Sequence, residues 1–153
     1  MQAREVGDFD DALATLVERM SRLMDEARGV GLAAPQVGIS RRVLVYQPGE
    51  EEPITAVVNP VLVKRSEEVE TTEEGCLSLG AATVIVEVER PIAITVEGVS
   101  ATGEPLRIEA EGLEARVLQH EIDHLDGVLT IDRASHEQRR AALAQLRPQP
   151  VLG

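Results

Sequence analysis

Residues 119–127 read QHEIDHLDG and hold two of the chain's three histidines. His120 and His124 are four residues apart, and on a helix positions i and i+4 share one face. Two imidazoles so placed can chelate one divalent ion. Glu121, one residue on, can reach a water on that ion without ligating it. There it would take a proton as the water attacks and return it to the leaving group. The competing reading is a chance pair on a solvated face. It is opposed by the apolar residues around the pair, with Leu113 and Val117 on one stripe and Leu118, Ile122 and Leu125 on another.

Two histidines do not complete a catalytic site, which has three protein ligands and one open position. The extended metalloprotease pattern HExxHxxGxxH finds its glycine in Gly127 but meets Thr130 where the third histidine belongs. His136 lies too far along for that turn. Glu137, the one glutamate downstream, is too near for a ligand from a following helix. The third ligand is therefore expected upstream. Cys76, in EEGCLSLG, is the leading candidate, since a thiolate binds zinc or ferrous iron strongly; a buried structural cysteine is its alternative. GVGLAAPQ, residues 29–36, supplies small residues that let a substrate backbone approach and then an amide, Gln36, able to stabilise an oxyanion. Its plainer reading is local: Gly29 ends a helix, Pro35 shapes a turn, and Ala33 and Ala34 pack.

The elements that must position these residues follow from periodicity. Leu13, Leu16, Val17, Met20, Leu23, Met24 and Ala27 keep helical spacing and predict a helix over 10–28, with Asp8 or Asp10 as cap and Gly29 at C′. From Arg41 to Arg107 the pattern turns to short β-branched runs: RRVLVYQ, ITAVVNPVLVKR, EEVETT, TVIVEVER, PIAITVEG and PLRIEAEG. Gly, Pro, Asn and Ser punctuate them, as in antiparallel sheets. A second helix is predicted from Gly112 to near Gly127; being apolar around much of its circumference, it is expected inside the protein, between sheets. Ser135 should cap a last helix reaching about Leu146. Helix, strands, helix, helix is an α+β order.

Composition bounds the function. At 153 residues the chain is expected to be one domain, residues 1–153. Hydrophobic residues are 43% but aromatics only 1%, so Val, Leu, Ile, Ala and Met must fill the core. One cysteine excludes an intrachain disulfide and fits a cytoplasmic protein; no apolar run is long enough to span a membrane, and no signal peptide is legible at the N-terminus. The net charge of −12 argues against DNA or RNA as the main partner. Residues 133–153 differ: Arg133, Arg139, Arg140 and Arg147 stand against Glu137 alone, a local charge of +3.

With these stretches assembled, the chain resembles the peptide deformylases, marked by G-x-G-[AL]-A-A-x-Q, E-G-C-L-S and Q-H-E-x-D-H-L segments. Here they are Gly29–Gln36, Glu74–Ser78 and Gln119–Leu125, in the family's order and at similar spacing. The resemblance implies removal of the N-formyl group from formyl-methionine on new bacterial-type proteins. It implies one divalent metal per chain, often Fe2+ in cells and replaceable by Zn2+, Ni2+ or Co2+, on Cys76, His120 and His124. Glu121 would be general base and acid. Gln36 and the backbone N–H of Leu77 would hold the oxyanion. Gly29, Val30, Gly31, Glu74, Gly75, Leu113 and Val117 would line the peptide site. The implied fold wraps three antiparallel sheets around the motif helix. Formyl-methionyl peptides and nascent chains are the implied partners, with a weak ribosome contact through the basic tail, and no membrane.

The chain departs from the family in four places. It begins almost at AREVGDFDD, without the usual preceding segment. CLSLGAA lacks the family's proline, and the loop looks about two residues longer. An arginine common some seven residues after the cysteine is missing. Ser21 stands in a region of the first helix that commonly carries an aromatic. These changes are expected to raise KM more than to lower kcat. Two other readings remain open from sequence: a relative that keeps the metal and only binds peptides, and a general metallopeptidase.

Overall fold

The computed structural model describes residues 2–77 and 83–145; the side chains of Cys76, Leu77, Thr83, Val84, Ile131, Ala142, Leu143 and Gln145 lie outside that description. In chain order the elements are α1 (Asp11–Glu26), β1 (Gly31–Ala33), β2 (Val43–Tyr46), β3 (Thr55–Arg65), β4 (Val69–Leu77), β5 (Thr83–Pro91), β6 (Ala93–Val99), β7 (Pro105–Glu111), α2 (Gly112–Leu125) and α3 (His136–Gln145). The expected α+β class is what is found. The chain divides into two compact units, Met1–Val69 with Pro91–Val128, and Glu70–Arg90 with Leu129–Gly153.

The first unit is built on an antiparallel sheet ordered β1-β2-β3-β6-β7. Strand β2, VLVY, is buried at every position. Its alternation sends Val43 and Val45 into one cluster with Leu13, Met20 and Met24 of α1. Leu44 and Tyr46 enter the other, with Leu118, Ile122 and Leu125 of α2. A helix therefore covers each face of the sheet, and a strand covered on both faces reads as a continuous apolar run.

Asp10 caps α1, its Oδ1 accepting from the Leu13 N–H at 3.0 Å. The C-terminus differs from expectation. The left-handed residue at C′ is Arg28, with φ 53°, and Gly29 comes one later. The Arg28 N–H donates to Asp25 O at 3.0 Å and the Gly29 N–H to Met24 O at 2.9 Å, closing both bonds of the helix-ending motif. Strand β1 starts at Gly31, so the reversal must be finished by Gly29, which puts the strained backbone on an arginine. β1 itself lies outside the sequence expectations: three residues of Gly, Leu and Ala carry no period-two signal. Its register is nevertheless complete, with Gly31 opposite Tyr46, Leu32 opposite Val45 and Ala33 opposite Leu44.

The N-terminal stretch is held as well. Ala3 and Val6 are buried. The Asn59 carboxamide grips both backbone groups of Val6, at 2.8 and 2.9 Å.

In the second unit β4 and β5 pair as a two-stranded sheet. Arg90 and Glu74 form a buried two-point ion pair, at 2.6 and 2.9 Å. Ser135 starts α3, its hydroxyl accepting from the Gln138 N–H at 3.3 Å, as expected of a cap. Gln138 binds the Glu87 N–H at 2.7 Å and so docks α3 on β5. Arg139 of the basic segment is paired with Asp132 at 3.3 Å. The described residues hold two sheets where the resemblance implied three. The altered loop, residues 78–82, and the tail from 146, with Arg147, lie outside the described residues. No helix among those described is long and apolar enough to cross a membrane.

Arg28→Gly should raise stability by about 0.5–1 kcal/mol, since glycine adopts positive φ without the side-chain clash. The urea midpoint measures it, and an unchanged or lower midpoint would contradict the strain assigned to Arg28.

Candidate metal centre and active site

Helix α2 follows β7 directly, with Gly112 at φ 61° making the corner. Its buried residues are Ala115, Val117, Leu118, Gln119, Glu121, Ile122, Asp123 and Leu125. Apolar packing alone would let such a helix slide or roll, and polar ties remove that freedom. In the first turn the Tyr46 hydroxyl donates to Glu114 Oε2 at 3.1 Å. In the middle Gln119 Nε2 donates to the Pro91 carbonyl at 3.0 Å. At the end Arg42 donates to the Leu125 carbonyl at 3.2 Å and to Asp126 Oδ1 at 2.9 Å, a cation where the helix dipole favours one. The Ala3 N–H also donates to Leu125 O, at 2.8 Å.

So held, α2 brings the two histidines together. Nε2 of His120 and Nε2 of His124 are 3.1 Å apart, and the rings stand edge to face at 80°. Two nitrogens on one tetrahedral ion at about 2.0–2.1 Å would be separated by about 3.3 Å. The observed spacing is within a few tenths of that bite, so the pair fits one shared ion. A ligand atom of Glu121 lies with theirs inside a 4.8 Å span. Glu121 is only 4% exposed, and the two imidazoles are half-buried.

The other expected site residues fall as follows. Gln36 closes the short 3-10 turn Ala34–Val37, its carboxamide oxygen accepting the Ala33 N–H at 2.8 Å. The oxygen is thus engaged and the NH2 end is the one left to donate. Gly31 lies on β1, with Val30 immediately before it. Gly29 sits at the end of the α1 closure. Leu113 and Val30 are exposed at 64% and 50%, while Val117 is buried. Glu74 is buried with both carboxylate oxygens on Arg90, and Gly75 follows it in β4. Cys76 and Leu77 are also in β4, in the second unit.

Sequence reasoning missed Tyr46 and Arg42, the residues that seat the helix. Their partners are 68 and 84 positions away, and no local pattern announces them. Gln119 was legible only as part of the motif.

Burial, the Glu114 charge and the hydrogen bond to it push the Tyr46 phenol well above its ordinary value, about 10. The phenol is thus favoured neutral in the folded state. The stability this confers is present below about pH 10 and is lost as pH rises beyond it. Tyr46 is the sole tyrosine, so tyrosinate absorbance should appear only together with alkaline unfolding. A reversible titration near pH 10 in the folded protein would contradict the tie to Glu114.

An HExxH pair on a buried helix of an α+β domain is the arrangement that metal-dependent hydrolases use. The polypeptide deformylase family model matches residues 1–140. The chain is 50% identical to the peptide deformylase of Natranaerobius thermophilus over 133 residues, 87% of this chain and 83% of that one. Among solved structures, a peptide deformylase from Legionella pneumophila matches with TM-score 0.84 and 41% identity, covering 95% of this chain and 85% of that one. A mutant of Arabidopsis thaliana peptide deformylase 1B matches with TM-score 0.89 and 34% identity, covering 95% and 81%. The chain belongs to the polypeptide deformylase family.

Proposed function

We propose that this chain removes the N-formyl group from formyl-methionine at the start of newly made proteins. The observation that carries the reading is the convergence of the His120 and His124 Nε2 atoms beside the buried Glu121, in a chain of this family. His120, His124 and Cys76 would hold one divalent ion, Fe2+ in cells, with Zn2+, Ni2+ or Co2+ accepted by the same donors. When bound, that ion supplies Lewis acidity, bringing a water's pKa towards about 7.

The rest of the reaction belongs to the chain's own residues. Glu121 takes the proton as water adds to the formyl carbon and hands it to the departing amine nitrogen, which frees formate and the new N-terminus. The oxyanion receives the Gln36 amide N–H and the Leu77 backbone N–H, and one such donor is worth about 10²–10³ in rate. β1 is paired with β2 on one side, where the Val30 carbonyl accepts the Gln47 N–H at 3.0 Å, and its other edge, at Gly31 with Val30 beside it, would align an extended peptide. Gly29, Gly75, Leu113 and Val117 complete the peptide site, with Glu74 holding its shape through Arg90.

The reading takes residues 1–153 as one catalytic domain, working in the cytoplasm on nascent chains. It places a weak ribosome contact on Arg133, Arg139, Arg140 and Arg147.

Turnover of a formyl-Met tripeptide should be readily measured while the acetyl-Met analogue is left intact. Equal cleavage of both, or of neither by metal-loaded protein, would overturn the reading. Glu121→Ala should keep its metal and lose about 10²–10⁴ in kcat. Loss of metal from that variant would make Glu121 a ligand instead.

A further inference from the structure

From sequence, Gly31 reads as a small residue over which a substrate backbone could pass. The structure shows what its missing side chain makes room for within the chain itself. A Cβ built on Gly31 would lie 2.7 Å from Glu121 Oε2, 3.0 Å from Glu121 Cγ and 2.9 Å from Val117 Cγ1. Gly31 is pinned by its place in the sheet, opposite Tyr46. Val117 and Glu121 are one helical turn apart on α2, whose seat is fixed by Tyr46, Gln119 and Arg42. Neither backbone can yield readily. The atom that can yield is the far end of the Glu121 side chain, which is the end that carries the proton.

We infer that Gly31 is a positioning residue for Glu121, its bare Cα fixing where the carboxylate sits. The inference rests on the reading of Glu121 as proton carrier. An added methyl needs a small shift of the Val117 side chain and a rotation of the longer, more flexible Glu121 side chain, so the fold survives while the carboxylate leaves its working place. A displacement of about 1 Å in such a group can cost about 10²-fold in rate. The backbone of Gly31 keeps its strand pairing and metal ligation is untouched, so the loss falls on kcat.

The test is Gly31→Ala alone, in the Glu121→Ala background, and combined with Val117→Ala, beside Val117→Ala as control. Metal content, KM, kcat and a crystal structure are read for each. Expected are metal content as in the parent, KM within about threefold, kcat down about 10²-fold and the carboxylate displaced by about 1 Å, with no further loss in the Glu121→Ala background. Gly31→Ala/Val117→Ala removes one of the two clashes and should still show the kcat loss relative to Val117→Ala. Wild-type kcat in Gly31→Ala, an equal loss in both backgrounds, an unmoved carboxylate, or failure of both Gly31 variants to fold would each overturn the inference. Full activity of Glu121→Ala itself would instead overturn the role given to Glu121, whatever Gly31→Ala does.

Discussion

The seating of one buried helix governs this molecule. A carboxylate is costly to take out of water, yet Glu121 is almost fully covered, beside two half-buried imidazoles. Such a group keeps its geometry only if the helix under it can neither slide nor turn. The sheet supplies the apolar part of that constraint through Leu44, Tyr46, Val57, Ile94 and Val96 against Leu118, Ile122 and Leu125. Hydrogen bonds from Tyr46, Gln119 and Arg42 supply the directional part. Apolar burial sets how strongly the helix is held, and the polar ties set which of several nearly equal rotations is adopted.

The rest of the first unit follows from that demand. α1 on the opposite face lets β2 be buried throughout, so the strand carrying Tyr46 is anchored from both sides. The N-terminal stretch runs from the Asn59 clamp on Val6 back to the Ala3 contact with the end of α2. It thereby links the sheet to the C-terminus of the motif helix. Asn59 holds a left-handed backbone, φ 52°, to make that clamp. Arg28 holds one to bring the chain from α1 into β1. Local strain at both points is exchanged for the placement of neighbouring elements.

Much of this was legible in the sequence, because long periodic segments and short chemical motifs are local. α1, α2, α3 and five of the seven strands among the described residues lie where apolar spacing and turn residues put them, while β4 runs on past EEVETT to Leu77 and takes in Cys76, which the sequence reading leaves between strands. His120 and His124 meet because i and i+4 share one helix face, and Glu121, three residues before His124, lies beside them. What could not be read is non-local. β1 is three residues of a motif whose small side chains say nothing of pairing. Tyr46 and Arg42 meet partners far along the chain. Gly31 reads as an open approach for substrate, and only the packed structure shows Glu121 and Val117 lying against it. Glu74, expected at the peptide site, is committed to Arg90, a partner 16 residues on that no motif connects to it.

In the proposed site His120 and His124 would share one ion with the Cys76 thiolate as third protein ligand. X-ray absorption at the zinc edge of stoichiometrically loaded protein addresses it directly. Expected are imidazole nitrogens at about 2.0–2.1 Å together with one sulfur at about 2.3 Å, the sulfur shell vanishing in Cys76→Ala. A first shell of nitrogen and oxygen alone in the unaltered protein would contradict it.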